Sequence, residues 1–339
     1  MENRQSSSLP KASLDYATNL IRKICVLSGQ FDLIEDVRAS FAEAGLADAV
    51  QRHDSDALFA WLAEAISFQG ISDSVAAGYI EQHGIVEAID VRLGLKSPRL
   101  CPKLQSYWHF SECGYRKGSN SCNEPRHLRQ CPLPRHDLRN GSLNQAAYGM
   151  YLFMRDIADG DFVFWIDSRL SQANQGVGLR RLRRLRDAVV LPLRNVHGLS
   201  DKVLNMSLGN LLLGGDPSRT LWVEAGAGMI AVDSLVHNWM WRSGILRKLE
   251  AQHVYGPACY RPDGCAAIIE QVALRIDARV FNRQFPHVFP RFIQKAIWSF
   301  CAELGFNQCN GRRIDDSSRC DQSECALFGT CGRVTLNQA

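Results

Sequence analysis

The chain has 339 residues, 46% of them hydrophobic and 22% charged, which excludes a mainly disordered, collagenous or coiled-coil polypeptide. No stretch approaches the ~18 consecutive apolar residues of a membrane span, and the first ten residues are polar, without a signal-peptide core. The net charge of +4 is unevenly spread: residues 1–95 hold 7 basic and 14 acidic groups, residues 96–339 hold 32 and 21, and the basic remainder suits a polyanionic partner.

Length alone suggests two or three domains. The pattern from Ala12 to Ala49 is helical, with Leu20, Ile21, Ile24 and Cys25 on one stripe. Asp56 to Phe68 reads as an amphipathic helix through Leu58, Trp61, Leu62, Ala65 and Ile66, stopping at Gln69-Gly70. Ser72 or Asp73 caps the next helix, which ends at Gly84. Residues 96–140 are an irregular insert, with four cysteines and 9 Lys and Arg against 3 acidic groups. Helical periodicity resumes near Leu143 and runs past Met154. Phe162 to Ile166 is an apolar run that periodicity leaves open between a strand and a buried helical turn. Arg180 to Val190 is a basic helix, 196–202 a short turn, and Val203 to Leu213 a helix ended by Gly214-Gly215. Asp233 opens another helix through Arg242, and 264–306 is helical around a loop at 285–290. The fold class expected is all-α.

Twelve cysteines in a chain without an export signal point to metal rather than disulfides. Cys309, Cys320, Cys325 and Cys331 offer four thiolates, the donor set of a [4Fe–4S] cluster or of structural zinc. Cys101, Cys113, Cys122 and Cys131 fit no standard finger, yet four cysteines in a loop too small for a core suggest a second metal staple, zinc, with His109, His127 and His136 as substitute ligands. Cys259 and Cys265 make a weaker pair, and Cys25 reads as a core residue.

The turn Val196-His197-Gly198-Leu199-Ser200-Asp201-Lys202 joins two helices, and its backbone N–H groups suit a phosphate oxygen. Lys202 falls in the first turn of the following helix, where a neutral amine can act as a nucleophile. Asp233 precedes Ser234-Leu235-Val236 and is equally a helix cap and a carboxylate for chemistry.

The turn resembles the helix-hairpin-helix of the endonuclease III-like DNA glycosylases (the HhH-GPD superfamily), with Lys202 where the catalytic lysine stands. Ile230 to Val236 resembles the segment carrying that superfamily's catalytic Asp, here Asp233. Ile66 to Asp73 resembles the stretch whose glutamine, here Gln69, fills the space of the flipped base. Gly305 to Cys309 resembles the start of the C-terminal iron–sulfur loop. The resemblance implies a two-domain glycosylase with Lys202 and Asp233 facing each other across a cleft. One domain would be a six-helix barrel 55–215 interrupted by the insert; the other would be a helical domain 216–339 ending in the cluster loop, with N-terminal helices 1–54 packing with it. Gln69, His197, Gly198 and Ser200 would contact double-stranded DNA. Ser200 replaces the second hairpin glycine, so a strained, positive-φ position is expected there.

The implied function is excision of a modified or damaged base, with AP-lyase activity through a lysine Schiff base, by a cytoplasmic, nucleoid-associated monomer that does not bind membranes. The alternative is a non-catalytic iron–sulfur or zinc protein that recognises DNA structure.

Overall fold

The structure, a computed structural model, describes residues 10–28, 32–68, 73–96, 100–135 and 142–337. Its regular elements are helices: α1 (Lys11–Ser28), α2 (Leu33–Glu43), α3 (Leu46–Gln51), α4 (Ser55–Ser67), α5 (Asp73–His83), α6 (Ala88–Leu95), α7 (Tyr107–Phe110), α8 (Ser142–Asp156), α9 (Phe162–Ala173), α10 (Gly178–Leu193), α11 (Asp201–Gly214), α12 (Thr220–Ala227), α13 (Ser234–Arg242), α14 (Ile245–Lys248), α15 (Cys265–Ala273) and α16 (Pro290–Cys301). The protein is all-α, and among the described residues the extended pairing is one isolated bridge, Arg116 with Ser121. Among the described residues, no helix is long and apolar enough to cross a membrane.

The chain forms two compact units, residues 37–226 and residues 1–36 with 227–339. The boundaries fall at 36/37 and 226/227, where the sequence analysis placed them at 54/55 and 215/216. In the first unit α4 packs on α3, α8 and α11, while α9 packs on α10 and α10 on α11. The open reading at Phe162–Ile166 resolves as helix. Asp161 caps it by accepting from the Phe164 N–H at 2.8 Å, and Phe162, Val163, Trp165, Ile166 and Leu170 are buried while Phe164 is exposed. That i, i+1, i+3, i+4, i+8 stripe is helical, since a strand would bury alternate residues. Phe162 stacks on Trp165, which meets Phe153 edge-on. Asp167 accepts from the Trp222 indole at 2.6 Å and pairs with Arg219.

In the second unit α16 packs against α1, α13 and α15. Cys25 is fully buried in α1, as expected of a core residue, and burial pushes its thiol up to about 12. The cysteine-rich C-terminal segment folds back onto the end of α13. The Gly332 N–H donates to the Ser243 carbonyl at 2.9 Å, and the Val334 N–H to Arg242 at 2.8 Å. The buried Arg242 guanidinium pairs with Asp316, and the Trp241 indole donates to the Thr335 carbonyl at 2.9 Å.

Candidate metal centres and the hairpin turn

The hairpin residues come together in one turn between α10 and α11. Leu185, Val189, Val190 and Leu193 bury one stripe of α10, and the chain then reverses over 194–200. Gly198 takes φ +78°, a left-handed conformation that glycine adopts without strain. Ser200 does not carry a positive φ. It lies at φ −91°, ψ 155°, where its Oγ accepts from the Val203 N–H at 3.4 Å and caps α11. The strain expected at Ser200 is therefore absent, because the reversal is completed two residues earlier. His197, Gly198 and Ser200 are exposed, and Lys202 is half-buried in the first turn of α11. Arg194 pairs with Asp201 across the turn. In α10, Arg180 and Arg184 are exposed, while Arg181 pairs with Glu224 and Arg186 with Asp187.

Asp233 begins α13 in the other unit, where its Oδ1 accepts from the Val236 N–H at 2.9 Å. The residue before it is also held, because the Val232 N–H donates to the Tyr260 hydroxyl at 2.9 Å. Gln69 and His136 lie outside the described residues.

The insert builds its own small cluster. Leu104, Phe110, Tyr115 and Leu133 are buried. Cys101, Cys113, Cys122 and Cys131 line one cavity together with His127. Burial, with charge on Cys113, Cys101 or Cys122 adding to it, pushes the Cys131 thiol up to about 11, so the four sulfurs feel one another. The insert also borders the hairpin. Tyr107, Phe110 and Ser111 line a second cavity together with Asn195, Val196 and His197.

The C-terminal cysteines form a ring. Cys309, Cys320, Cys325 and Cys331 line a cavity walled by Trp239, Phe300, Leu327 and Phe328. Burial pushes Cys331 up to about 11 and also raises Cys325, with the neighbouring ring thiols adding to both. Cys301, fully buried behind the ring, is pushed up by burial and by its bond to Cys309, and that bond holds Cys309 below the usual thiol range. The loop between the first two ring cysteines carries exposed Arg312, Arg313 and Arg319.

A third set was not assembled from the sequence. His237, His253, Cys259 and Cys265 place one ligand atom each within 4.8 Å of all the others, and these four residues could hold a metal ion. His237 sits on the buried stripe of α13, with Val236, Trp239 and Met240. His253 and Cys259 come from the loop after α14, and Cys265 opens α15. That loop closes tightly at Gly264, where a Cβ would stand 2.4 Å from the Ala258 carbonyl oxygen, so only glycine admits the approach. Cys259 is held down to about 4 by its bond from Cys265, with His237 contributing, while Cys265 is driven up by that same shared proton and by burial. The sequence signal was a C-x5-C pair in a Gly- and Pro-containing loop plus a histidine on an apolar helical stripe, and neither half points to the other.

No protein-family model matches this chain, and no curated protein or solved structure matches it.

Proposed function

We propose that this protein excises a modified or damaged base from double-stranded DNA and nicks the strand through a Schiff base at Lys202. The observation that carries the reading is the turn between α10 and α11, with Gly198 at φ +78°, Ser200 capping α11 and Lys202 in that helix's first turn. The turn and the place of Lys202 support the reading, while the positive φ expected at Ser200 from the resemblance is absent.

A base in a duplex stack is out of reach, so the enzyme must flip the nucleotide at a cost of a few kcal/mol. Gln69 would then occupy the vacated space. The exposed turn residues His197, Gly198 and Ser200 and the N-terminal end of α11 would face a backbone phosphate, and Arg180 and Arg184 add charge. Breaking the N-glycosidic bond leaves positive charge on the sugar, which the Asp233 carboxylate would stabilise. The neutral Lys202 amine would attack the anomeric carbon as the base leaves with the bonding electron pair and takes up a proton. Loss of the second amine proton with ring opening gives the Schiff base, from which β-elimination cleaves the strand.

The C-terminal ring suits a [4Fe–4S] cluster: it offers four thiols around an apolar-walled cavity, in the segment where the resemblance implies the cluster loop. Cys309, Cys320, Cys325 and Cys331 would hold it, and its contribution would be structural, fixing the loop that carries Arg312, Arg313 and Arg319. The insert cysteines Cys101, Cys113, Cys122 and Cys131 would hold a second metal, zinc in the simplest case, and stiffen the segment beside the hairpin.

One observation favours the non-catalytic alternative: Asp233 caps α13, which accounts for an Asp without chemistry. Strand-nicking and binding assays on duplexes bearing modified bases separate the two readings. Lys202→Ala should lose nicking and keep DNA affinity. Nicking that survives this substitution removes Lys202 from the mechanism. An absence of DNA affinity for the wild type even at low salt overturns the reading as a whole.

A further inference from the structure

We infer that His237, His253, Cys259 and Cys265 form a closed structural zinc site. The inference rests on geometry in residues 227–337 and is independent of the DNA reading. A tetrahedral zinc with sulfur at ~2.3 Å and nitrogen at ~2.0 Å sets its ligand atoms about 3.3–3.8 Å apart. Cys259 Sγ lies 3.5 Å from His237 Nδ1, Cys265 Sγ lies 3.5 Å from the same nitrogen, and Cys265 Sγ lies 3.4 Å from His253 Nε2. Those separations are edges of a tetrahedron of single-ion size.

The support around the ligands agrees. His253 Nδ1 is 2.7 Å from the Ala251 carbonyl, so it carries the proton and leaves Nε2 free to ligate. His237, Cys259 and Cys265 are buried. Two thiolates and two neutral imidazoles balance a divalent ion, so the loaded centre buries no net charge. Binding would displace the thiol proton or protons into solvent. Four protein donors fill a tetrahedron, which leaves no open position and marks a structural rather than a catalytic ion. The two-sulfur, two-nitrogen donor set selects zinc among the common divalent metals.

The ion would tie three pieces of chain together: α13, the loop 251–264 and the start of α15. The same loop carries Tyr260, whose hydroxyl holds the backbone just before Asp233. The site is thus a clip on the segment that opens α13.

Metal analysis of the full chain, purified under reducing conditions from cells supplied with zinc and iron, tests this. Cys259→Ser and His253→Ala should each carry about one zinc per chain fewer than wild type, with iron unchanged. His253→Cys keeps four donors. It should retain the zinc and raise its mean sulfur coordination in X-ray absorption, which keeps the test decisive if the other variants fail to fold. Equal zinc in wild type and variants overturns the site. So does loss of iron in place of zinc, a Cys259–Cys265 disulfide in the purified wild type, or an unaltered zinc absorption spectrum in His253→Cys.

Discussion

The cysteine ring of the C-terminal segment and the two-histidine, two-cysteine centre share a helix, yet they are built in opposite ways. Trp239 and Arg242 of α13 line the ring cavity, while His237 of the same helix points its Nδ1 at Cys259 and Cys265. The ring takes all four thiols from one short stretch, residues 309–331, and disposes them around an apolar-walled cavity. The other centre draws on residues from 237 to 265 and brings its donors to one point. The ring segment is also fastened to α13 by backbone bonds through Gly332 and Val334. The loop 251–264 meets α13 through the side chains that would hold the ion and through Tyr255 against the His237 ring, with Tyr260 reaching the residue before its cap. Clustering in sequence announces a site; convergence in space shows which donors can share one ion.

The two centres should come apart by substitution. Cys325→Ser should discard the brown absorbance and about four irons while leaving the zinc, read by metal analysis and visible spectra. Loss of zinc in the same variant would mean that the centres are not independent. Gly264→Ala forces a Cβ to 2.4 Å from the Ala258 carbonyl oxygen and should cost about 1–3 kcal/mol in urea unfolding, with zinc lost and iron kept. Unchanged stability would show that the loop has room to yield.

The start of the shared helix sharpens the comparison further. Asp233→Ala removes the cap on Val236 and should cost about 1 kcal/mol, whereas Asn caps about as well as Asp, so Asp233→Asn should be nearly neutral for stability. On the catalytic reading Asp233→Asn nevertheless loses base release. Retained base release would leave Asp233 only its capping role. Ser200→Ala, in the hairpin turn, should cost about 0.5–1 kcal/mol, and Ser200→Gly only a few tenths.

Much of this was legible in the chain itself. The buried stripe of α10, the helix that Asp233 opens, and Cys25 in the core all follow from spacing and local capping rules. The hairpin turn could be located but its positive-φ residue could not. Whether residue 198 or 200 takes the positive φ depends on where α11 starts, and Ser200 decided that by capping. Phe162–Ile166 stayed open because five apolar residues fit either period, and only the exposure of Phe164 separates them. His237 and His253 stayed hidden for a different reason. A histidine on an apolar helical face reads as core, and nothing local to residue 237 states that a loop sixteen to twenty-eight residues later returns to it.

The central claim is that Lys202 forms a covalent intermediate with DNA, and borohydride trapping on a duplex containing an abasic site tests it most directly. A protein–DNA adduct that forms with wild type and is missing with Lys202→Ala is the predicted result. An adduct of equal yield from both proteins would contradict the role given to Lys202, and no adduct from a wild type that still binds the duplex would contradict the Schiff base.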